Sequence, residues 1–417
     1  MKGNEAINDK IGGKRVVLFI ESLTNNGGAE RLVLEEANYL AKNGINVNIL
    51  TFNLRRTGLF DNKYLVEIKE IGKKYKADHS VIKIFNKIYC LYDLRRNLIQ
   101  LKPDIIIAST AWDCSDLYLA TILTNLKYCS HIHGTIFWFY NDFLKYTILH
   151  RRHFNEIRNS VIGHKEFIPL EPPTVKPSMR LIKELNALVI ALGVRKSKKI
   201  FVLSNQMKWE VEKLYGKNSI VVKGAFPEII FKYKSNKDIR ERLKLKNEKI
   251  ILNINRLDRR KRIDLLVRAF YKSSQTSNNI ILLIGGSGPE QDNIKNLIDE
   301  LDLAEKVILL GYIKDDELWD YIASCDVFVH PNWADFAIAP YEALALRKKV
   351  IWSVEMETES KIKESGYVYE TYPTVDDLAE NINKALKENA NSCNLDLSEY
   401  TWESYFRRIM NELKEYF

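Results

Sequence analysis

Short apolar runs that alternate with helix-length segments constrain the fold of this chain more than any other feature. "KRVVLFIESL" is followed by a glycine turn, an amphipathic helix and a second strand, "INVNILTF". Further short strands are predicted at "PDIIIAST", "CSHIHGT" and "KKIFVLS". A strand, helix, strand order favours parallel sheets, because crossover helices then cover the sheet faces. The first part of the chain is therefore predicted to be a doubly wound α/β domain.

A second cycle of the same kind begins near Glu248. Its predicted strands are "KIILNINRL", "NNIILLIGGSG", "KVILLGYI", "CDVFVHP" and "KKVIWS". A charged, turn-rich segment without sustained periodicity separates the two cycles, and a chain of 417 residues exceeds the usual size of one core. We expect an α/β protein with two doubly wound, Rossmann-like domains, residues 1–230 and 231–400.

The net charge of +9 is concentrated in the first predicted domain. Residues 1–230 hold 35 Lys and Arg against 22 Asp and Glu, a balance of +13, which leaves −4 for the remainder. One predicted helix, "VIKIFNKIYCLYDLRRNLIQLK", combines an apolar stripe with cations, and "DFLKYTILHRRHFNEIR" mixes aromatic and basic residues. We predict a docking face for an anionic membrane surface. The stripe consists of Ile84, Ile88, Leu91 and Leu94, and the cations are Lys83, Lys87, Arg95 and Arg96.

Two other interpretations of this basic face are open. The apolar stripe can belong to the domain core, with the cations in solvent. A nucleic-acid partner is not expected, because the sequence contains no zinc finger or aromatic strand of the RNP type.

The sequence also limits where the protein acts. No apolar run reaches the roughly 18–20 residues that a membrane-spanning helix needs, and the first thirteen residues do not resemble a secretory signal. Five widely spaced cysteines without a C-x-x-C pair argue against a disulfide framework or a zinc knuckle. We expect a cytoplasmic protein, peripheral on the cytoplasmic face of a membrane.

Cationic and glycine-rich segments follow the strands of the second cycle. Arg256 follows one strand and Lys261 opens the next helix, so both can reach a diphosphate beyond the end of the sheet. Gly286 and Gly288 follow the next strand, where main-chain N–H groups can approach an anion. A solvated basic turn and an ordinary glycine turn remain the alternatives.

Two further segments complete the predicted site. Main-chain groups of Gly311, Tyr312 and Ile313 are placed to contact the edge of a nucleobase. Glu342 stands near a helix start behind Pro340, where a carboxylate can hold two ribose hydroxyls. The alternative for Glu342 is a favourable charge on the helix dipole.

Five segments resemble, in order along the chain, the motifs of the family 4 (group 1) retaining glycosyltransferases. They are R-x4-K, GSGPE, LLGYI, DVFVHP and F-x-I-x-P-x-E-A. "GGAERLVLEEANYLAKNG", "IHGT" and "YTWESYFRRI" resemble the opening helix, a His-Gly strand end and the closing helix of that family. The resemblance implies the GT-B fold, with two domains facing across a central cleft. It also implies that residues 401–417 form a helix that packs back on the N-terminal domain.

The resemblance implies roles for individual residues. Arg256 and Lys261 would bind the diphosphate of a UDP- or GDP-linked sugar, and Glu342 would hold the ribose. His133 would lie near the transferred hexose, and His131 would share its face if the segment is a strand. The other implied positions are Ile338 and Ala339 on the donor side and Gly27 and Gly28 towards donor and acceptor. The implied acceptor is a lipid-linked saccharide or another membrane glycan precursor, and no metal or other cofactor is implied.

One position departs from the family pattern. The first glutamate of the family's E-x7-E motif corresponds to Ala334, and Asp335 follows it. Asp335 as a substitute, a relaxed or lost activity, and a deliberate replacement of a natural glutamate all remain open. Two other functions are therefore kept: a sugar-nucleotide epimerase of the same fold and a catalytically silent, nucleotide-sugar-binding partner subunit.

Overall fold

The computed structural model describes residues 13–24, 28–55, 66–72, 80–134, 177–277, 279–332, 336–388 and 395–416, without the side chains of 80–84 and 177–180. These residues divide into two compact units. The first contains the described residues up to 134, then 177–223 and 403–416, and the second contains those from 224 to 402. Phe226 and Ile230 are buried in the core of the second unit, so the division lies seven residues before the expected boundary at 230.

The first unit has nine strands and six helices in its described residues. The strands are β1 (Arg15–Phe19), β2 (Ser22–Leu23), β3 (Asn46–Thr51), β4 (Asn53–Leu54), β5 (Glu67–Glu70), β6 (Ile105–Ala108), β7 (Tyr128–Ile132), β8 (Ile200–Val202) and β9 (Ile220–Val221). The helices are α1 (Gly28–Lys42), α2 (Ser80–Leu101), α3 (Ala111–Thr121), α4 (Pro177–Lys196), α5 (Asn205–Tyr215) and, from the end of the chain, α13 (Trp402–Leu413).

Seven of these strands form one parallel sheet in the order β5-β3-β1-β6-β7-β8-β9. β1 pairs with β3 from Arg15↔Asn46 onward and with β6 from Val16↔Ile105 onward. The first strand therefore lies inside the sheet and the order runs outward from it in both directions, as in other doubly wound folds. β2 and β4 form a separate two-stranded parallel sheet.

The last helix, α13, belongs to the first unit although the chain reaches it after the second. Tyr405 and Phe406 are buried there, and the Phe406 ring stacks on Tyr39 at 4.9 Å. Lys199 pairs with Glu412 at 2.9 Å and with Glu415 at 3.1 Å. The chain thus returns to its first unit through apolar contacts reinforced at the surface by ion pairs.

The second unit contains a six-stranded parallel sheet in the order β12-β11-β10-β13-β14-β15. Its strands are β10 (Lys249–Ile254), β11 (Ile280–Gly285), β12 (Val307–Gly311), β13 (Val327–His330), β14 (Lys349–Ser353) and β15 (Val368–Thr371). Its helices are α6 (Ile239–Arg242), α7 (Ile263–Ser274), α8 (Gln291–Glu300), α9 (Asp315–Ser324), α10 (Ile338–Ala345), α11 (Ser360–Lys363) and α12 (Val375–Lys387).

Successive residues of the second sheet point into two different cores. Ile250 and Leu252 of β10 pack on one face, together with residues of α9 and α10. Ile251 packs on the other face with residues of α7, α8 and α12. A strand buried on both faces has no polar alternation, which explains runs such as "IILLIG". The predicted doubly wound architecture of the second domain is confirmed.

The predicted membrane-facing helix is α2, and the structure changes its interpretation. Leu94 is fully buried, whereas Ile88 is 57% exposed, so the predicted apolar stripe is divided between core and surface. Lys87 pairs with Glu21 and Asp116, and Arg95 donates to the carbonyls of Ala120 and Ile122. These two cations are engaged within the unit.

Other parts of that prediction lie outside what is described. The side chains of Lys83 and Ile84 are among those not described, and so is the segment "DFLKYTILHRRHFNEIR". Within the described residues, no helix combines the length and apolar character needed to cross a membrane.

Candidate active site

Most of the predicted donor residues lie at one edge of the second sheet. Parallel strands all end at the same edge, so the loops that leave them are neighbours. Arg256 leaves β10, Gly286 and Gly288 leave β11, and Gly311 ends β12. β13 contributes His330 to the same edge. The topology therefore brings together residues of separate segments that are 19 to 74 positions apart in sequence.

The basic loop after β10 has a fixed backbone. The Asp258 carboxylate accepts the N–H of Arg260 at 3.1 Å and caps a single 3-10 turn, Arg259–Lys261. Arg262 then adopts a left-handed conformation with φ 49°, immediately before α7 begins. A non-glycine residue rarely occupies this region, so surrounding contacts must hold it there.

A buried ion pair holds Arg262 in place. Its guanidinium binds both carboxylate oxygens of Glu355, with Nη2 to Oε1 at 3.0 Å, and Nη1 also donates to the Pro331 carbonyl at 3.2 Å. The Ser353 hydroxyl donates to Glu355 at 2.8 Å. The pair fixes the basic loop to the loops after β13 and β14. Sequence reasoning missed Glu355, which follows β14.

The glycines after β11 are required by close backbone packing. Gly286 has φ +120°, and a Cβ atom built on it would lie 1.8 Å from the Asn255 carbonyl oxygen. A Cβ on Gly288 would lie 2.3 Å from the Leu257 carbonyl oxygen. Hydrogen bonds join the two loops, including Leu257 N–H to Ser287 O at 3.0 Å. The glycine loop therefore packs directly against the loop that carries Arg256, which an ordinary turn would not require.

The segment after β12 joins the same assembly. Gly311 has φ +68°, and its carbonyl accepts the N–H of Gly286 at 2.6 Å. Ile313 is buried against Gly285, whereas Tyr312 is 57% exposed. Main-chain groups here lie at the strand end, as the prediction of a nucleobase contact requires.

Glu342 lies in α10 and is 1% exposed. Its Oε1 accepts the indole N–H of Trp319, from α9, at 3.1 Å. It is the fifth residue of the helix, after Ile338 and Ala339 at its first two positions, and Ala337 offers no side-chain cap to the helix start. Glu342 lies beyond the first turn of α10, so it does not fit the alternative of a favourable first-turn charge on the helix dipole.

A polar network that the sequence did not reveal joins the ends of β10 and β13. Asn332 donates to Nε2 of His330 at 2.7 Å and to Oδ1 of Asn255 at 3.3 Å, and Asn253 donates to the Val329 carbonyl at 2.7 Å. Burial and the nearby Lys261 charge hold the pKa of His330 well below its ordinary value. His330 is therefore a neutral hydrogen-bonding group, and only the polar residues that end "ILNIN" and "FVHPN" could have indicated it.

In the first unit, His133 directly follows β7. Its ring lies edge-on to His131, with centroids 4.1 Å apart, so the prediction that the two share a face is confirmed. Nδ1 of His131 is 3.3 Å from Oε2 of Glu36, which lies on α1, and its Nε2 is hydrogen-bonded to the Tyr405 hydroxyl. The sequence does not reveal this cluster, because Glu36 and Tyr405 lie 95 residues before and 274 residues after His131.

Burial shifts every titratable group of this cluster. It raises the pKa of Glu36 to about 8 and lowers the pKa of His131 to about 3. Burial, with a smaller contribution from His131, also holds the pKa of His133 well below its ordinary value. Both imidazoles are therefore neutral at physiological pH.

Three predicted positions lie outside the described residues: Gly27, Ala334 and Asp335. Gly28 is the first residue of α1. The predicted roles of these four residues stay predictions.

Comparison with known proteins identifies the family. The model described as "Glycosyltransferase Family 4" matches residues 26–222, and "Glycosyl transferases group 1" matches residues 235–401. One relative is the N-acetylgalactosamine-N,N'-diacetylbacillosaminyl-diphospho-undecaprenol 4-alpha-N-acetylgalactosaminyltransferase of Campylobacter jejuni, 28% identical over 50% of this chain and 56% of its own length. The matches to the first curated relatives span 56% to 61% of their lengths.

Two solved structures share the fold at low identity. Sucrose-phosphate synthase of Thermosynechococcus elongatus has a TM-score of 0.73 at 16% identity, covering 96% of this chain and 98% of its own. HepE of Anabaena, in complex with UDP and glucose, has a TM-score of 0.64 at 17% identity, covering 96% of this chain and 95% of its own. With both family models matched in chain order and both sheets doubly wound, this chain belongs to the group 1 (family 4) glycosyltransferases and has the GT-B fold.

Proposed function

We propose that this chain is a retaining glycosyltransferase that moves a hexose-type sugar from a UDP- or GDP-linked donor to an acceptor hydroxyl. The observation that carries the proposal is the edge of the second sheet, where a fixed basic loop, a closely packed glycine loop and the buried Glu342 occur together. The complex of HepE with UDP and glucose supports a nucleotide-linked donor.

Each group has a role set by its chemistry. Arg256 and Lys261 bind the donor diphosphate and stabilise the leaving nucleoside diphosphate, since cations aimed at developing charge lower the barrier. Glu342, oriented by Trp319, accepts hydrogen bonds from the ribose hydroxyls. Residues 311–313 contact the nucleobase through the main chain. These cations take the place of a divalent ion, so we propose that the donor site needs no metal and the enzyme no other cofactor.

The anomeric configuration of the sugar is retained if the acceptor attacks from the side that the leaving group vacates. The bond from the anomeric carbon to the phosphate oxygen breaks as the acceptor oxygen bonds to the same face. The departing β-phosphate oxygen takes the proton of the acceptor hydroxyl, so no protein nucleophile is needed. His133 lies near the transferred sugar.

We further propose that the acceptor is a lipid-linked saccharide or another membrane glycan precursor, used at the cytoplasmic face of a membrane. The name of the Campylobacter relative contains such an acceptor, a diphospho-undecaprenol. Exposed apolar residues form one stripe on each of two helices of the basic first unit, and α3 packs against both helices. We expect these stripes, rather than Lys87 or Arg95, to contact lipid. They are Phe85, Ile88, Tyr92 and Ile99 on α2, and Leu181, Ile182, Leu185 and Leu188 on α4.

Vesicle flotation tests this surface. The wild type should float with anionic phosphatidylglycerol vesicles, and the double variant Phe85→Ser/Tyr92→Ser should float less. Ile229→Ser, which removes a 66% exposed residue of the second unit, is the matched control. Equal flotation of all three proteins would show that the stripe on α2 does not contact lipid. A DNA-binding assay on the same proteins tests the expected absence of nucleic-acid binding.

Thermal denaturation in the presence of UDP- and GDP-sugars tests donor binding. A donor at about 100 times its dissociation constant should stabilise the protein by about 2.7 kcal/mol. Arg256→Ala should abolish the shift, and Arg268→Ala, at an exposed arginine of α7, should preserve it. No shift with any of these donors would contradict the proposal.

Product analysis separates the alternatives. Conversion of the donor without any acceptor would identify an epimerase, and donor binding without turnover would identify a silent partner subunit. Because the family's first motif glutamate is replaced by Ala334, turnover should be low and should rise in Ala334→Glu. An unchanged rate in that variant would show that Ala334 does not limit transfer.

A further inference from the structure

Hydrogen bonding among the described residues does not explain the Glu36, His131 and His133 cluster of the first unit. Glu36 is 1% exposed, yet its Oε1 has no hydrogen-bond partner within the described part of the chain. Both ring nitrogens of His133 are buried and also lack a partner among these residues. Buried polar atoms are nearly always paired, because an unpaired buried atom destabilises the folded protein. Three unpaired atoms in one cluster indicate a missing partner.

The donor atoms of these residues are close enough to share one ion. One ligand atom from each of the three residues lies within 4.8 Å of the others. Nδ1 of His131 and Oε2 of Glu36 are 3.3 Å apart, which is about the separation of two ligands bound at roughly 2.0–2.1 Å to a tetrahedral ion. His133 directly follows β7, and its ring centroid lies 4.1 Å from that of His131, so its nitrogens lie beside this pair.

The chemistry of the ligands selects the class of ion. Two imidazoles and one carboxylate, which gives up its proton when the ion binds, suit Zn²⁺ or a similar divalent transition metal better than Mg²⁺ or Ca²⁺, which prefer oxygen ligands. The other nitrogen of His131 is bonded to the Tyr405 hydroxyl, an outer partner of the kind that fixes the orientation of a metal-bound imidazole.

We propose that Glu36, His131 and His133 form a binding site for one divalent transition metal ion. The site is distinct from the donor loops of the second sheet, where cationic side chains neutralise phosphate. The bound ion occupies a ring nitrogen of His133. If the proposed function is correct, this withdraws His133 from the transferred sugar, so the ion inhibits transfer.

Titration of Co²⁺ and Zn²⁺ into untagged, metal-free protein tests the site without relying on activity. We expect one equivalent of Co²⁺ to produce the visible absorption of a four- or five-coordinate ion, and Zn²⁺ to displace it. Glu36→Gln and His133→Asn should abolish this signal. Tyr405→Phe should weaken Zn²⁺ binding about 10–100-fold, the usual effect of losing an outer partner. Cys90→Ser is the control for binding by a partly buried thiol and should bind as the wild type does.

The outcomes are distinguishable. Absence of the Co²⁺ signal in the folded wild type, or an equal signal in Glu36→Gln and His133→Asn, would overturn the site and leave a metal-free buried network. Circular dichroism of the two variants shows whether a lost signal reflects unfolding, and the Tyr405→Phe series tests the site in a third protein. If Zn²⁺ binds at the cluster but leaves sugar transfer unchanged, the metal site stands and the proposed role of His133 at the sugar is wrong.

Discussion

Substitution of Gly286 by alanine should separate a geometric requirement of the site from ordinary backbone strain. The added Cβ would lie 1.8 Å from the Asn255 oxygen, and real Cβ contacts essentially never fall below 3.0 Å. One backbone must therefore move by at least 1.2 Å. Both partners are main chain, so a side-chain rotation cannot relieve the clash. The movement reaches Arg256, which directly follows Asn255.

The expected cost has two parts. Overpacking costs about 1–3 kcal/mol, and a residue held at positive φ costs about 1–3 kcal/mol, so the second unit should lose about 2–6 kcal/mol. For a unit of this size, that corresponds to a fall in Tm of about 4–24 °C. Displacement of a reacting group by about 1 Å can reduce turnover about 100-fold. Donor binding should weaken as well, because Arg256 moves away from the diphosphate.

Differential scanning calorimetry and donor titration measure the two effects. Gly216→Ala is the control, because Gly216 has φ +63° but no atom within 4 Å of the added Cβ. It ends α5 in the first unit, so it should lose only about 1–2 kcal/mol and bind donor normally. The reasoning is refuted if Gly286→Ala melts and binds donor as Gly216→Ala does.

Three further variants test other contacts. Glu355→Gln leaves the buried Arg262 without its carboxylate and should destabilise the protein by about 3–5 kcal/mol in urea denaturation. The control Lys272→Met removes an exposed ion pair and should cost under about 1 kcal/mol. A similar loss in both variants would contradict a stabilising role for the Arg262–Glu355 pair. Trp319→Phe removes the indole N–H that hydrogen-bonds to Glu342, and it should raise the Kd for the nucleotide sugar about tenfold with an unchanged circular dichroism spectrum. An unchanged Kd would show that this hydrogen bond does not orient the carboxylate. Burial raises the pKa of Asp116 to about 6, and the Lys87 charge opposes this rise. The folded protein therefore loses stability as the pH rises from about 4 towards 6, and Lys87 limits that loss. The destabilisation caused by Lys87→Met should therefore be small near pH 4 and grow between about pH 6 and pH 8, and a pH-independent effect would contradict this assignment.

The architecture was predictable because the sheets are buried on both faces. Ile250 to Leu252 face alternately into two cores, so each strand is a continuous apolar run with helices between the runs. Positions that follow a strand, such as Arg256 and Gly286, were predictable for the same reason. The location of a strand end is a local property of the sequence.

Contacts between distant segments were not predictable in this way. Arg262 and Glu355 are 93 residues apart, and neither residue type suggests a buried ion pair. The network of Asn253, His330 and Asn332 depends on β10 and β13 being neighbours, which the order of strands along the chain does not reveal. The division of the α2 stripe depends on which helix packs beside it. Each of these features is set by tertiary contacts.

The place of α13 has a consequence for the synthesis of the protein. Ribosomal synthesis completes the residues up to 223 first, but the helix that covers Tyr39 and His131 emerges only after the whole second unit. At about 5–20 residues per second, the 179 intervening residues take about 9–36 s. During that interval the nascent first unit exposes apolar surface that the finished protein buries under Tyr405 and Phe406. The cell must therefore protect a nearly complete domain until its last helix arrives.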